Sequence, residues 1–359
     1  MKQHRIIIWT KSVSDFVNDN VYGIGVQLYF WAQTFADNGW QVTSYTNQKT
    51  YSKDGICFKH ISHWGKLEIV HEWLIILLEL LITRPILIIS RGADRGVYPL
   101  AIISRCLGVK YVFFSASDVN FEPGKELIAG GKHNRRLWQQ AVKKLRYIVV
   151  QNRHQQTTLK HNYDKESLLL CNLWGKVKSF QTTGLPTDVV WVANFRRLKR
   201  AEWMVNAAKA MPEYDFTLIG GPSEKEKEYY TQIEEEAKTI PNLHFLGKKS
   251  FFEANAIIAK SKILCCTSTF EGFPNTFLQA WANKKPIIST VNPSDVISTY
   301  NLGNVVDTEE SFQQSIRALL SDSEIYSAKQ RAVLDYFERN HSPEISYNKL
   351  MDYIDVSQG

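Results

Sequence analysis

The strongest constraint on this chain is a rhythm: short runs of β-branched and aromatic residues alternate with stretches long enough for a helix. In the first half the runs are RIIIWT, QVTSYT, ILIIS, YVFFS, YIVVQ and LLLC, with segments such as GVQLYFWAQTFADNG between them. Continuous apolar runs suit strands buried on both faces, and connections of helical length are what parallel pairing requires. A second series follows, VVWVAN, FTLIGG, LHFLG, KILCCTS and PIIST, again with helix-length spacers such as the charged KEKEYYTQIEEEAK. The expected class is therefore α/β, two Rossmann-like domains with parallel sheets facing across a cleft. Its boundaries are residues 1–178, a linker at 179–188 poor in large aliphatics, a second lobe at 189–322, and helices over 323–359. The last of those helices is expected to pack back on the first lobe.

Hydrophobic residues make up 44% and charged residues 22% of the 359, near globular averages, so the whole chain is expected to fold. Five cysteines, Cys57, Cys106, Cys171, Cys265 and Cys266, lie in apolar contexts without CxxC spacing. They read as reduced and mostly buried thiols, which points to the cytoplasm. The start, MKQHRIIIWT, has too short an apolar run for a signal-peptide core and reads as a first strand. The longest apolar stretch, from Trp73 to Ile82, is about half of a bilayer span, and Glu79 interrupts it. It reads as an ordinary buried helix rather than one lying on a membrane surface.

Charge is unevenly distributed. Residues 1–172 carry 22 Lys and Arg against 13 Asp and Glu, whereas the remainder carries 21 against 23. Lys132, Arg135, Arg136, Lys143, Lys144 and Arg146 surround the helix-like HNRRLWQQAVKKLR. Such a cluster suits either a solvated helix face or peripheral contact with anionic lipid headgroups. No nucleic acid is expected as a partner, because neither a set of exposed aromatics nor a reading helix accompanies the charge.

Chemistry-bearing residues fall where strands pass into helices. After the first strand a loop leads to Gly23 and Gly25, and glycines there let backbone amides approach an anion at a helix N-terminus, or simply make a turn. In WVANFRRLKRAEW, Arg196, Arg197, Lys199 and Arg200 put four cations in five positions just beyond a buried strand. Cations are unfavourable near a helix's positive end unless something negative occupies that place, and a diphosphate would satisfy them. STFEGFPNTFLQAW joins another strand to a helix through Glu271, Gly272, Phe273 and Pro274. The amides of Asn275 and Thr276 then offer a second anion site, with the Glu271 carboxylate beside it to accept from sugar hydroxyls.

These residues resemble glycosyltransferase family 4, retaining enzymes of the B-type double-Rossmann fold, over nearly the whole chain. The family's pattern of two carboxylates separated by seven residues resembles Glu271 through Gln279, with GFPN in the usual place. Gln279 departs from it, standing where the family's second Glu meets the donor ribose. An amide accepts on one side and donates on the other, which a carboxylate does not. WVANFRRLK resembles the family's strand and its Arg and Lys pair on the diphosphate; Lys199 matches, while Asn194 occupies the usual Arg position and leaves Arg196 as the partner, with Arg197 beside it. Gly247 resembles the segment that meets the nucleobase, and Gly220 and Gly221 end an adjacent strand. In YVFFSASDVNF, Asp118 takes about the place of a family His near the transferred sugar, a turn cap being the other reading. Arg91 in IISRGAD is expected to face acceptor or phosphate.

What the resemblance implies is retaining transfer of a hexosyl group from a UDP- or GDP-sugar to a glycan or lipid-linked glycan acceptor, in capsule, exopolysaccharide or lipopolysaccharide synthesis. The leaving diphosphate would deprotonate the acceptor, stabilised by Arg196, Lys199, the Gly25 amide and the helix amides near Asn275. No Asp-x-Asp triplet occurs in the sequence, so neither a metal nor a cofactor beyond the donor is expected. The place implied is the cytoplasm, peripheral to the inner membrane face. Two rivals stand beside this reading. An epimerase or hydrolase of sugar nucleotides would need a water-activating carboxylate, for which Asp118 alone would serve. A non-catalytic binding protein would hold the donor without forming product.

Overall fold

The structure, a computed structural model, describes residues 4–18, 23–61, 68–126, 128, 131–175, 187–271 and 273–354. The chain divides into two units, Met1–Gly175 together with Asn340–Gly359, and Lys176–Arg339. Residues 179–186 of the expected linker lie outside the described residues, as does Gly272.

The first unit's apolar runs form β1 (Arg5–Ile8), β2 (Gln41–Thr46), β3 (Tyr51–Lys53), β4 (Ile56–His60), β5 (Leu87–Arg91), β6 (Lys110–Phe114), β7 (Tyr147–Val150) and β8 (Leu168–Leu169). They make one sheet in the order β3-β4-β2-β1-β5-β6-β7-β8. Every pairing is parallel except that of β3 with β4. Between them run α1 (Ser12–Val17), α2 (Gly23–Asp37), α3 (Glu68–Thr83), α4 (Val97–Cys106), α5 (Gly131–Lys144) and α6 (Arg153–Tyr163). Successive strand residues point to opposite faces. Ile7, Ile88, Phe113 and Ile148 accordingly share one core with Ile76 and Leu80 of α3, Leu100 of α4, and Trp138 and Val142 of α5. Burying each such side chain contributes about 1.5–3 kcal/mol.

In the second unit β9 (Val189–Val192), β10 (Phe216–Ile219), β11 (Leu243–Phe245), β12 (Ile263–Cys266), β13 (Ile287–Ser289) and β14 (Gly303–Val305) form a wholly parallel sheet in the order β11-β10-β9-β12-β13-β14. Its helices are α7 (Glu202–Ala210), α8 (Lys227–Ala237), α9 (Phe251–Lys260), α10 (Asn275–Ala282), α11 (Val296–Thr299), α12 (Glu309–Ser321) and α13 (Ser323–His341). Trp191, Met204, Phe216, Leu218, Ile263 and Phe312 belong to its core. A final helix, α14 (Pro343–Ile354), belongs to the first unit, where the Tyr347 hydroxyl accepts from Trp40 Nε1 at 2.9 Å and its ring meets Phe35 edge-on at 5.3 Å.

Four sequence readings change. The loop expected after the first strand contains α1, whose Ser12 carbonyl lies 2.3 Å from where a Cβ on Gly25 would stand. The strands β3, β4 and β14 were not foreseen, because YSK, ICFKH and GNV carry polar residues or glycine where most of the other strands have a continuous apolar run. The cysteines are not mostly buried: Cys265 and Cys266 are, Cys57 and Cys171 are half-buried and Cys106 is exposed. A thiol at a helix end costs little in water, so burial need not follow from an apolar neighbourhood. Finally, α3 is only half a core helix. Ile76 and Leu80 are buried, but Leu74, Leu78, Leu81 and Ile82 are 50%, 47%, 49% and 66% exposed, and Glu79 is held by Lys59 at 2.7 Å. Among the described residues no helix is long and apolar enough to cross a membrane.

Candidate active site

In each sheet the order of the parallel strands reverses once, and ligands of such sheets bind beyond the strands' carboxyl ends at that point. In the second unit the reversal lies at β9, flanked by β10 and β12. The cationic loop follows β9 and the Glu271 loop follows β12, so neighbouring strands deliver both motifs to the same edge. Backbone and side-chain bonds stitch them together. Thr269 N donates to the Leu198 carbonyl at 2.8 Å, and Thr267 Oγ1 donates to the Lys199 carbonyl at 2.6 Å while accepting from Trp191 Nε1 at 3.0 Å.

On this frame Lys199 Nζ pairs directly with Glu271 Oε1, which also accepts from Ser268 Oγ at 2.9 Å. The two charged side chains are only 16% and 21% exposed, so each depends on the other for compensation. Burial pushes the neighbouring Cys266 thiol up, which keeps it protonated at neutral pH.

The other three cations of the loop do different things. Arg200 has a left-handed backbone, φ 48°; its Nε donates to the Thr267 carbonyl at 2.5 Å and its guanidinium lies 4.2 Å above the Trp203 ring. It holds the loop. Arg196 is half-exposed, with Nε 3.9 Å from Glu226 Oε1, and Arg197 lies over the Tyr229 ring at 5.3 Å while its amide donates to Glu226 at 2.6 Å. Both remain within a loop whose charge is only partly offset by Glu226.

The glycines sit beside this loop. Phe195 N donates to the Gly221 carbonyl at 3.0 Å, and Gly220 N to the Gly247 carbonyl at 2.9 Å. A Cβ on Gly220 would stand 1.7 Å from the Ala193 carbonyl oxygen, so only glycine fits there. Across the same edge, α10 starts with Pro274 as its N-cap residue, which offers no side-chain oxygen to the first turn. Asn275 and Thr276 are partly exposed in that turn, and Phe273 packs edge-on against Phe277 at 6.4 Å. Gln279 is buried, 4% exposed, one turn further on. Phe270, next to Glu271, is 77% exposed.

The first unit has its own reversal at β1, between β2 and β5. Arg91 ends β5, where its Nη2 donates to Asn172 Oδ1 at 2.8 Å while Nε is enclosed without a partner. Burial lowers its pKa to about 10. Gly23 is exposed at the start of α2, and Ile24 of that turn reaches Gly92, the residue after Arg91. Gly25 has a packing reason for being glycine in the close approach of α1. Asp118, after β6, opens a single 3-10 turn, and its Oδ1 accepts from Asn152 Nδ2 at 2.8 Å and Gln155 Nε2 at 2.9 Å. Both readings of Asp118, a positioned carboxylate and a turn residue, are compatible with that clamp.

Sequence reasoning missed Ser268, Glu226, Thr267 and the amides that hold Arg91 and Asp118. Only Asn152 left a signal, as an N-cap residue before the helix α6, where its side chain accepts from Gln155 N at 2.8 Å. Among the described residues no group of three or more His, Cys, Asp or Glu is placed to hold a metal ion.

Residues 186–322 match the family model described as Glycosyl transferases group 1. No curated protein matches the chain. Solved structures share its fold. Sucrose-phosphate synthase from Thermosynechococcus elongatus is 14% identical with a TM-score of 0.70, covering 98% of both chains. A glycosyltransferase from Rickettsia africae is 12% identical with a TM-score of 0.69 over the whole of both chains. HepE from Anabaena, in complex with UDP-glucose, is 12% identical with a TM-score of 0.66, covering 98% of this chain and 99% of that one. The fold is thus that of the B-type glycosyltransferases, with two Rossmann-like domains, and over residues 186–322 the chain is similar to the group 1 glycosyltransferases.

Proposed function

We propose that this chain is a retaining, metal-independent hexosyltransferase that uses a UDP- or GDP-sugar and acts on a glycan or lipid-linked glycan acceptor in surface polysaccharide synthesis. The observation that carries the reading is the meeting of Lys199 and Glu271 at the strand reversal of the unit that matches the glycosyltransferase model. The UDP-glucose held by the Anabaena neighbour supports the donor class. In this reading Lys199 and Arg196 stabilise the departing diphosphate, helped by the first-turn amides of α10 at Asn275 and Thr276. Arg197 adds charge at the rim, and the glycines Gly221 and Gly247 let the nucleotide lie close to the backbone. Glu271 accepts from hydroxyls of the sugar, Phe273 packs beneath it, and Gln279 meets the ribose.

The first unit takes the acceptor. Arg91 is a desolvated cation for which no carboxylate partner occurs among the described residues, and such a group is costly unless an anion meets it. An acceptor phosphate fits that need. Asp118, held by two amides on one oxygen, keeps its other oxygen for the substrate, and the amides at Gly23 and Gly25 add donors. The enzyme would work in the cytoplasm, in peripheral contact with anionic membrane through its first unit.

The test is a thermal-shift screen with UDP, GDP and their sugar conjugates, followed by transfer from the one that stabilises the chain. Product anomers of retained configuration are expected, without added metal and undiminished by a chelator. Rapid release of free sugar or epimer without acceptor would favour an epimerase or hydrolase, and donor binding with no product under any acceptor would favour a binding protein.

A further inference from the structure

Apart from β3, the strands of the first unit run in parallel, so their amino ends share the edge opposite Arg91 and Asp118. At that edge lies a hollow of about 610 Å³ into which Arg105, Lys110, Lys143, Lys144, Arg146 and Lys165 converge from α4, β6, the end of α5 and the loops before β7 and β8. Among the described residues no Asp or Glu lines it. Lys165 Nζ donates to the Leu145 carbonyl at 3.1 Å and Lys110 Nζ to the Ile354 carbonyl at 2.6 Å. The neighbouring carboxylate of Glu166 is taken by Lys160 at 2.8 Å. Among the described residues no ion pair engages Arg105, Lys143, Lys144 or Arg146. The C-termini of α4 and α5 each present about half a negative charge, which offsets roughly one of the six cations. A solvated lysine pair at one helix end would be unremarkable; Arg105, Lys143, Lys144 and Arg146, brought from separate elements around one concavity, repel one another and call for an anion.

Beside the hollow the surface is apolar. Arg5 Nη1 donates to the Thr83 carbonyl at 3.1 Å, which puts the C-terminal end of α3 at this same edge, and Lys110 N donates to the Ile86 carbonyl at 3.1 Å. Leu81, Ile82, Ile86 and Leu107 are all exposed there, and Leu78 and Leu74 continue the strip along α3. A cationic hollow bordered by exposed branched aliphatics is complementary to a surface that is anionic in its headgroups and apolar just beneath.

We infer that this edge docks the first unit on a bilayer rich in anionic phospholipid, the hollow seating phosphate headgroups and the α3 strip entering the acyl boundary. Docking leaves the carboxyl edge, at the other end of the strands, clear of the lipid. Docking stands on the edge alone and does not depend on the glycosyltransferase reading.

Co-sedimentation of the full chain with vesicles tests it. Vesicles of phosphatidylcholine with a third phosphatidylglycerol are expected to bring the protein down, and phosphatidylcholine alone is not. The double variant Lys143→Glu, Lys144→Glu should lower partitioning by at least about tenfold. Leu81→Gln with Ile82→Gln, at exposed positions, should reduce the binding that survives high salt. Thermal unfolding of both variants like wild type, and an unchanged thermal shift with UDP, confirm that only docking was altered. Equal partitioning to neutral vesicles, none to either, or wild-type partitioning of both variants overturns the inference. So does saturable binding of inorganic phosphate or of a single-stranded RNA without vesicle binding. Vesicle binding in a chain that shows no shift with UDP or GDP would sink the proposed function and leave docking intact.

Discussion

The two units place charge at their strand reversals in opposite ways. In the second, Lys199 meets a carboxylate, and hydrogen bonds between the two loops hold the pair in place. In the first, Arg91 and Asp118 are each held by neutral amides, Asn172 for one and Asn152 with Gln155 for the other. A paired charge is already compensated and loses stability when one partner goes. A charge held by an amide keeps most of its field for a ligand, and its removal should be felt by substrate rather than by the fold.

The largest effect expected from this contrast is at the pair itself. Lys199→Ala and Glu271→Ala should each lower transfer about a hundredfold, roughly 2.7 kcal/mol at the transition state. Because the residues touch, the double variant should lose little more than either single one, and multiplicative losses in steady-state kinetics would show that the two act separately.

Next comes a titration confined to the first unit. His341 is buried with Nδ1 2.6 Å from the Asn172 carbonyl, and burial lowers its pKa to about 4. The unfolded chain therefore binds this proton first as pH falls, so the stability that His341 contributes is complete above about pH 6.5 and is lost toward pH 4. Denaturant unfolding should show about 2 kcal/mol lost between about pH 6.5 and 5. His341→Gln should flatten that slope; a slope unchanged in the variant would assign it to other groups.

Arg91→Leu sharpens the comparison from the other side. Stability is expected to stay within about 1 kcal/mol of wild type, since a desolvated cation is removed along with its bond to Asn172, while transfer falls about fivefold through acceptor KM. A large loss of stability would mean that the fold depends on Arg91 as it does on one partner of the Lys199–Glu271 pair. The smallest change is expected from Gln279→Glu, which should leave nucleoside diphosphate affinity equal or up to about threefold tighter by calorimetry. Clear weakening would give the amide a role of its own.

Much of the fold was legible because strand and helix signals are local. Period and length marked most strands of both sheets, and contiguous motifs carried Lys199, Glu271 and the glycines at Gly220, Gly221 and Gly247. The partners were not legible. Asn172 lies 81 residues from Arg91, and Gln155 lies 37 from Asp118, with no spacing rule joining them. Glycine at Gly25 was read as room for an anion, whereas the close approach of Ser12 also demands it.

By itself, then, the sequence determined which segments become strands and helices, that parallel sheets result, and which loops carry charge, since these depend on composition within a few residues of chain. Tertiary structure decided which loops become neighbours, which of four adjacent cations faces a carboxylate and which grips a carbonyl, and where exposed leucines adjoin a basic hollow. Those outcomes follow from strand order and from which residues burial leaves without water, and both are properties of the assembled sheet rather than of any one segment.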